Sequence, residues 1–177
     1  MDVGKNMNNY EPMVYAPHYC SHLPILIKVL QVSDGPVLEM GMGPFSPPVM
    51  HWICLEMKRS LISFDTDPEY FESNKAFENA GHKVNFIKNW DDADIVSTHW
   101  GVAFLDHAPA LRRKEDAKRL VNNTDYLVLH DSETSKDRYF GYSEIFPLFK
   151  YQYGYKRQSP FTAVLSNSQD LKNLSWR

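Results

Sequence analysis

The feature that most constrains this chain is a short apolar run that ends in glycines and passes at once into a helix start. Pro36-Val37-Leu38-Glu39-Met40 reads as a buried strand and Gly41-Met42-Gly43 as a turn. Ser46-Pro47-Pro48 follows as an N-cap with prolines in the first helical turn. Strand, glycine turn and helix in that order are half of a crossover unit, and the pattern repeats. Leu61-Ile62-Ser63-Phe64 is a second strand, stopped at Asp65-Thr66-Asp67-Pro68, where Asp67 can cap a helix that Pro68 begins and Gly81 ends. Residues 83–88 supply a third strand, 101–105 a fourth and 126–129 a fifth. The last two are unbroken apolar runs, as in a sheet covered on both faces. Between them, Ala110, Leu111, Ala117, Leu120 and Val121 are spaced for one helical face. Arg112, Arg113, Lys114, Lys118 and Arg119 then fall mostly on the solvated face.

Each parallel connection needs a crossover, so this alternation predicts the α/β class, with a doubly wound, mostly parallel Rossmann-like sheet. Tyr151-Gln152-Tyr153-Gly154-Tyr155 and Thr162-Ala163-Val164-Leu165 leave no room for a helix between them and predict an antiparallel C-terminal strand pair. At 177 residues the chain is expected to be a single domain, residues 1–177. Residues 1–16 form a polar, flexible N-terminus and 17–32 a helical element with Leu23, Leu26, Ile27 and Leu30 on one face and Ser21 as its cap. Residues 36–166 form the sheet core. With 19 basic against 22 acidic residues and no like-charge run, no nucleic-acid partner is expected. The longest apolar stretch, residues 23–30, is broken by Pro24 and Lys28 and falls short of the ~20 residues that cross a bilayer, so no membrane partner is expected either. Cys20 and Cys54 lie in no metal or redox spacing and the N-terminus lacks the apolar core of a secretory signal; a cytoplasmic location follows as an expectation.

Gly41 and Gly43 expose backbone N–H groups beside a helix start, where an anionic group is favoured. Ser46 stands where the dinucleotide fingerprint carries its third glycine, which disfavours NAD. Asp65, 24 residues beyond Gly41, ends the second strand near the ~20-residue spacing at which a carboxylate accepts from ribose hydroxyls. A glycine turn with a ribose acid points to a nucleoside-containing cofactor.

Glu39-Met40-Gly41-Met42-Gly43, then Asp65, then Asp106 closing the fourth strand, resembles the class I S-adenosylmethionine-dependent methyltransferases over roughly residues 20–166. The resemblance implies that Glu39, Gly41 and Gly43 hold the methionine part of S-adenosylmethionine, that Asp65 holds the ribose, and that Asn89, Trp90 and Asp91 flank the adenine. Asp106 completes the cofactor-binding set, and Trp90 reads equally as a core aromatic. Phe104-Leu105-Asp106-His107, followed by Tyr126-Leu127-Val128-Leu129-His130-Asp131, is similar to a small O-methyltransferase-like subgroup. Its metal-dependent members bind a divalent cation at these strand ends, which would place Mg2+ on Asp106 and Asp131. Ser132 departs from that pattern, since an asparagine ligand is common there.

Methyl transfer needs an aligned, deprotonated acceptor, and His107 is the candidate base because imidazole titrates near neutrality. A histidine that only hydrogen-bonds in a turn is the competing reading. His130 is expected on the opposite side of its strand, packing or orienting a neighbour. Ser21-His22 is similar to an N-terminal element that closes over the cofactor in some relatives, and reads equally well as surface at a helix start. The expected activity is methyl transfer to a small-molecule acceptor at oxygen, with a homo-oligomer able to supply a lid. A non-catalytic cofactor-binding module and an NAD-dependent oxidoreductase are the rival readings.

Overall fold

The computed structural model describes residues 17–175; the expected flexible segment 1–16 lies outside the described residues. Seven strands form one sheet: β1 (Val37–Met40), β2 (Leu61–Asp65), β3 (His82–Phe86), β4 (Trp100–Leu105), β5 (Thr124–His130), β6 (Tyr151–Tyr155) and β7 (Thr162–Ser166). Their spatial order is β3-β2-β1-β4-β5-β7-β6. The first five are mutually parallel, β7 runs antiparallel to β5, and β6 antiparallel to β7. The expected doubly wound sheet with an antiparallel C-terminal pair is therefore the fold.

Side-chain alternation along the strands sorts the core into two layers. Val37, Leu61, Val102, Phe104, Val128 and Val164 point to one face, where α1 (Leu23–Val32) and α2 (Ser46–Glu56) cover them with Leu26, Val29, Leu30 and Met50. Leu38, Met40, Ala103, Leu105, Leu127 and Leu129 point to the other. There Ala117 and Leu120 of α4 (Arg112–Leu120) and Phe140 of α5 (Asp137–Phe140) close the layer. Every β4 residue is buried, and each large apolar side chain so enclosed contributes about 1.5–3 kcal/mol.

Several boundaries move for physical reasons. Ser46 is the first residue of α2 and its hydroxyl turns inward to Glu39, so it does not cap the helix. Ser21 does not cap α1 either, because its hydroxyl bonds elsewhere. Asp67 does cap α3 (Pro68–Asn74), its Oδ1 accepting from the Glu69 N–H at 2.8 Å. That helix ends at Asn74, well before Gly81, where the buried Asn74 amide donates to the carbonyls of Tyr70 and Gly43. In α4 the buried residues are Arg113, Asp116, Ala117 and Leu120, while Leu111 is exposed. The helix starts later than its apolar residues suggested, so ion-pairing side chains occupy half of its buried stripe. Among the described residues no helix is long and apolar enough to cross a membrane.

Chain order reverses between β1 and β4, and in sheets of this kind ligands bind outside the strand ends at that point.

Candidate functional site

A cleft of about 660 Å³ opens at this reversal, bounded by residues 41–46 after β1, 65–68 after β2, Asp106–Ala108 after β4, and His130 and Asp131 after β5. Its first wall is made of backbone. Gly41 has φ +93, and a Cβ there would lie 2.6 Å from the His107 N and Cα, so only glycine lets the loop after β4 approach the turn this closely. A Cβ on Gly43 would meet nothing within 4 Å, which leaves that side of the turn open for a ligand. The Asp65 carboxylate fastens the turn from β2: Oδ2 accepts from the Met42 N–H at 2.5 Å and Oδ1 from the Asp67 N–H at 2.8 Å. Burial pushes the Asp65 pKa up, and these backbone donors work against that rise.

Glu39 lies beneath this wall. It is fully buried, Oε2 accepts from the Ser63 hydroxyl at 2.6 Å, and Oε1 has no partner. Burial raises its pKa to about 7, against the hydroxyls of Ser63 and Ser46. Its place is support of the turn from below, since the cleft lining does not include it. Asn89, Trp90 and Asp91, expected to flank adenine, are likewise outside the lining. Asn89 accepts from the Asp91 N–H, and Asp91 pairs with Arg112 at 2.7 Å. Trp90 is buried and donates to the Ala108 carbonyl at 2.7 Å, so it braces a loop that borders the cleft.

The second wall is a charge network centred on Arg113. This guanidinium reaches Asp106 Oδ1 at 2.9 Å and Asp131 Oδ2 at 3.1 Å, and donates to the His107 carbonyl at 2.6 Å. Lys136 adds a contact to Asp131 Oδ1 at 2.8 Å. Expecting Mg2+ between Asp106 and Asp131 needs correction here. Both carboxylates already share a side-chain cation, and Lys136 neutralises the second, so no free pair of hard oxygen ligands stands between the strands. Asp131 has φ 58, a left-handed conformation that aspartate tolerates better than most residues.

His107 sits behind this wall. Its side chain has no exposure, Nε2 lies 3.0 Å from Asp116 Oδ2, and its ring packs on Trp90 with centroids 4.3 Å apart. Asp116 also takes Arg112 and Arg119 at 2.8 Å each. These partners hold its pKa at about 2 in spite of burial.

Facing the cleft instead is a cluster the sequence did not assemble. His130 Nδ1 lies 3.1 Å from Asp106 Oδ2, and Nε2 lies 3.1 Å from the Ser21 hydroxyl. The His22 ring packs against that of His130, centroids 4.8 Å apart, and is only 2 % exposed; neither of its nitrogens has a partner. Burial, with His130 beside it, drives the His22 pKa down to about 4. Burial works against ionisation of Asp106, yet the adjoining His130 and Arg113 side chains hold its pKa below the usual carboxylate value. Helical spacing counted back from Leu120 would have put Arg113 and Asp116 on the buried stripe of α4. The pairing of His22 with His130, 108 residues apart, has no local signal.

No protein-family model matches the chain, and no curated protein does. Solved structures do. A putative O-methyltransferase from Klebsiella pneumoniae superposes with TM-score 0.57 at 11% identity, over 89% of this chain and 83% of its own. An rRNA methylase from Streptococcus thermophilus gives TM-score 0.55 at 15% identity over 89% and 99%. Spermidine synthase from Thermotoga maritima gives TM-score 0.62 at 12% identity over 89% of this chain and 61% of its own. The fold is that of the class I methyltransferases. At these identities the likeness extends to architecture, and the methyltransferase fold alone does not choose among proteins as different as the three neighbours.

Proposed function

We propose that this chain transfers a methyl group from S-adenosylmethionine to the hydroxyl oxygen of a small-molecule acceptor. The observation that carries the reading is the first wall of the cleft: a glycine turn open at Gly43, tied through the Met42 N–H to a carboxylate that ends the neighbouring strand. The Gly41 N–H is spent on the Phe64 carbonyl and the Met42 N–H on Asp65, which leaves the Gly43 N–H at the open side of the turn to suit the carboxylate of an amino acid moiety, while Asp65 suits ribose hydroxyls. Asp106 and Asp131 on the lining are met by Arg113 and Lys136, so it is the further two carboxylates, Asp65 and Asp67, that favour a ligand carrying positive charge, as a sulfonium and an ammonium do. When bound, S-adenosylmethionine supplies an electrophilic methyl; the protein supplies alignment and a route for the acceptor proton.

That route runs to the cluster of His22, Asp106 and His130 on the cleft lining; His107 borders the cleft too, but its side chain has no exposed surface and is turned to Asp116. Glu39 and Trp90 position the two loops without touching the cofactor. A near-balanced charge and a cleft of modest volume support a small acceptor over a polyanion.

Calorimetric titration with S-adenosylmethionine and S-adenosylhomocysteine, with NAD as control, tests the cofactor. Binding of both adenosyl ligands, weakened roughly tenfold or more in Asp65→Ala, is expected. A folded sample that binds neither overturns the reading, and one that binds NAD alone replaces it with an oxidoreductase. A screen of hydroxylated acceptors for methylated product then tests the transfer.

A further inference from the structure

We propose that His22, Asp106 and His130 form a binding site for one divalent first-row transition ion of the zinc type, at the β4–β5 end of the cleft. One ligand atom from each residue lies within 4.8 Å of those of the other two. Small side-chain rotations close that spread onto an ion ~2.1 Å from its nitrogen and oxygen ligands.

Hydrogen-bond accounting makes the case for a cation. The Ser21 hydroxyl spends its only proton on the Pro160 carbonyl, at 2.7 Å. Its contact with His130 therefore uses the His130 Nε2–H as donor, at 3.1 Å. In neutral His130 this leaves the Nδ1 lone pair facing the Asp106 carboxylate at 3.1 Å, two acceptors without a positive charge between them. A proton on Nδ1 would satisfy those two and leave His22 with both nitrogens unbonded inside the protein. One ion takes a lone pair from each of the three residues, including one of the two bare His22 nitrogens.

The surroundings complete the argument. Asp106 gives Oδ1 to Arg113 and keeps Oδ2 for the cluster. Ser21 stands to His130 as an outer partner that fixes the tautomer of a ligating imidazole. Other charged groups nearby are Asp131, with Oδ2 3.9 Å from His130 Nδ1, and Lys136 and Glu133, which are engaged with Asp131 and Ser159. Two imidazoles with one carboxylate select zinc-like ions over Mg2+ or Ca2+, which prefer all-oxygen shells. This site shares Asp106 with the Mg2+ position expected from sequence, but its other ligands and its chemistry differ.

The inference does not rest on methyl transfer, because the ion is tested alone. The full chain, stripped with a chelator, is titrated with Zn2+ and then with Co2+ while visible absorption is recorded. One equivalent is expected to bind, Co2+ giving the d–d bands of a low-coordinate nitrogen and oxygen site, and Mg2+ failing to compete. Affinity should fall roughly tenfold or more in His22→Gln, His130→Ala and Asp106→Asn, each first checked for cooperative unfolding by circular dichroism. A second histidine pair, His51 and His82, lies with Nδ1 atoms 3.1 Å apart beside a separate cleft, and His51→Ala is the control that should leave binding intact. Absence of a stoichiometric ion in the folded chain overturns the proposal. So does a loss of binding that tracks His51 in place of the three ligands.

Discussion

The two faces of the sheet handle buried polar groups in opposite ways. On the α4 face, His107 and Asp116 are enclosed, and Arg112 and Arg119 bring opposite charge within 2.8 Å of Asp116, so the buried carboxylate is compensated and only His107 Nδ1 is left without a partner. On the face covered by α1 and α2, Glu39 keeps a bare Oε1 and His22 keeps two bare nitrogens. The strand period explains which histidine lands where. Leu105 and Leu129 are paired in register and point to the α4 face, so one step on in β4 and β5 Asp106 and His130 share the other face, beside His22. His107, one step further, returns to the α4 side and meets Asp116. Two Asp and His neighbours that look alike in sequence thus acquire different chemistry: one is a compensated structural pair, the other a cluster with unspent lone pairs.

The largest test of that contrast is Arg113, which bridges to the cleft wall from the compensated side. Arg113→Met leaves Asp106 and Asp131 facing each other with one cation removed, and should cost about 3–5 kcal/mol in urea unfolding. A loss under about 1 kcal/mol would mean that water or Lys136 already screens the carboxylates.

Next is Glu39, the uncompensated carboxyl. Its pKa is 4.5 ordinarily and about 7 in the folded chain. The folded state therefore holds a proton that the unfolded chain releases earlier. Stability from this group is complete below pH 4.5 and is lost as pH rises through about 7. Glu39→Gln removes that dependence and should stabilise the protein at pH 8 by up to about 3 kcal/mol. The measurement is the difference between wild type and variant across the pH range, because the depressed pKa values of His22 and His82 act with opposite sign in the same window. A flat difference would place water or a cation at Oε1.

His107→Leu removes one partner from Asp116 and leaves two arginines on it, for a loss of about 2 kcal/mol. Affinity for S-adenosylhomocysteine should stay within roughly twofold, since the His107 side chain has no exposed surface. If transfer collapsed while stability held, the base would be His107 after all, and the two faces would have exchanged roles.

What was legible beforehand was local. The glycine turn, the Asp67 cap and the short apolar runs of the first and fourth strands are set by backbone sterics and near neighbours, and they place Gly41, Gly43, Asp65 and Asp106 on one cleft. What was not legible depends on which distant side chain arrives. The charge between Asp106 and Asp131 comes from Arg113, on a helix whose stripe looks basic and solvated until its true start at Arg112 is known. Glu39 and Trp90 stand at the motif positions that the resemblance ties to the ligand, while in the fold both are buried and lie outside the cleft lining, which matches the competing reading of Trp90 as a core aromatic. His22 could be read as surface because a helix start normally is; here α1 lies against Phe104, whose ring is 4.9 Å from that of His22.

The smallest expected effect is the most specific. Ser21→Ala deletes one hydroxyl that joins the start of α1 to both β5 and Pro160, and should cost about 1 kcal/mol in urea unfolding, the worth of an ordinary hydrogen bond. Its value lies in a second readout. With Ser21 present, the His130 proton belongs on Nε2, and imidazole nitrogen NMR should show that tautomer in the ion-free protein near neutral pH. With alanine there, the Nε2–H loses its acceptor, and the proton is free to move to Nδ1 and bond Asp106. A tautomer shift on so small a loss of stability would show that the uncompensated face is held in its lone-pair-rich state by one serine. A wild-type spectrum with protons on both nitrogens would instead mean that His130 is the imidazolium partner of Asp106, and that this face has its compensating charge after all.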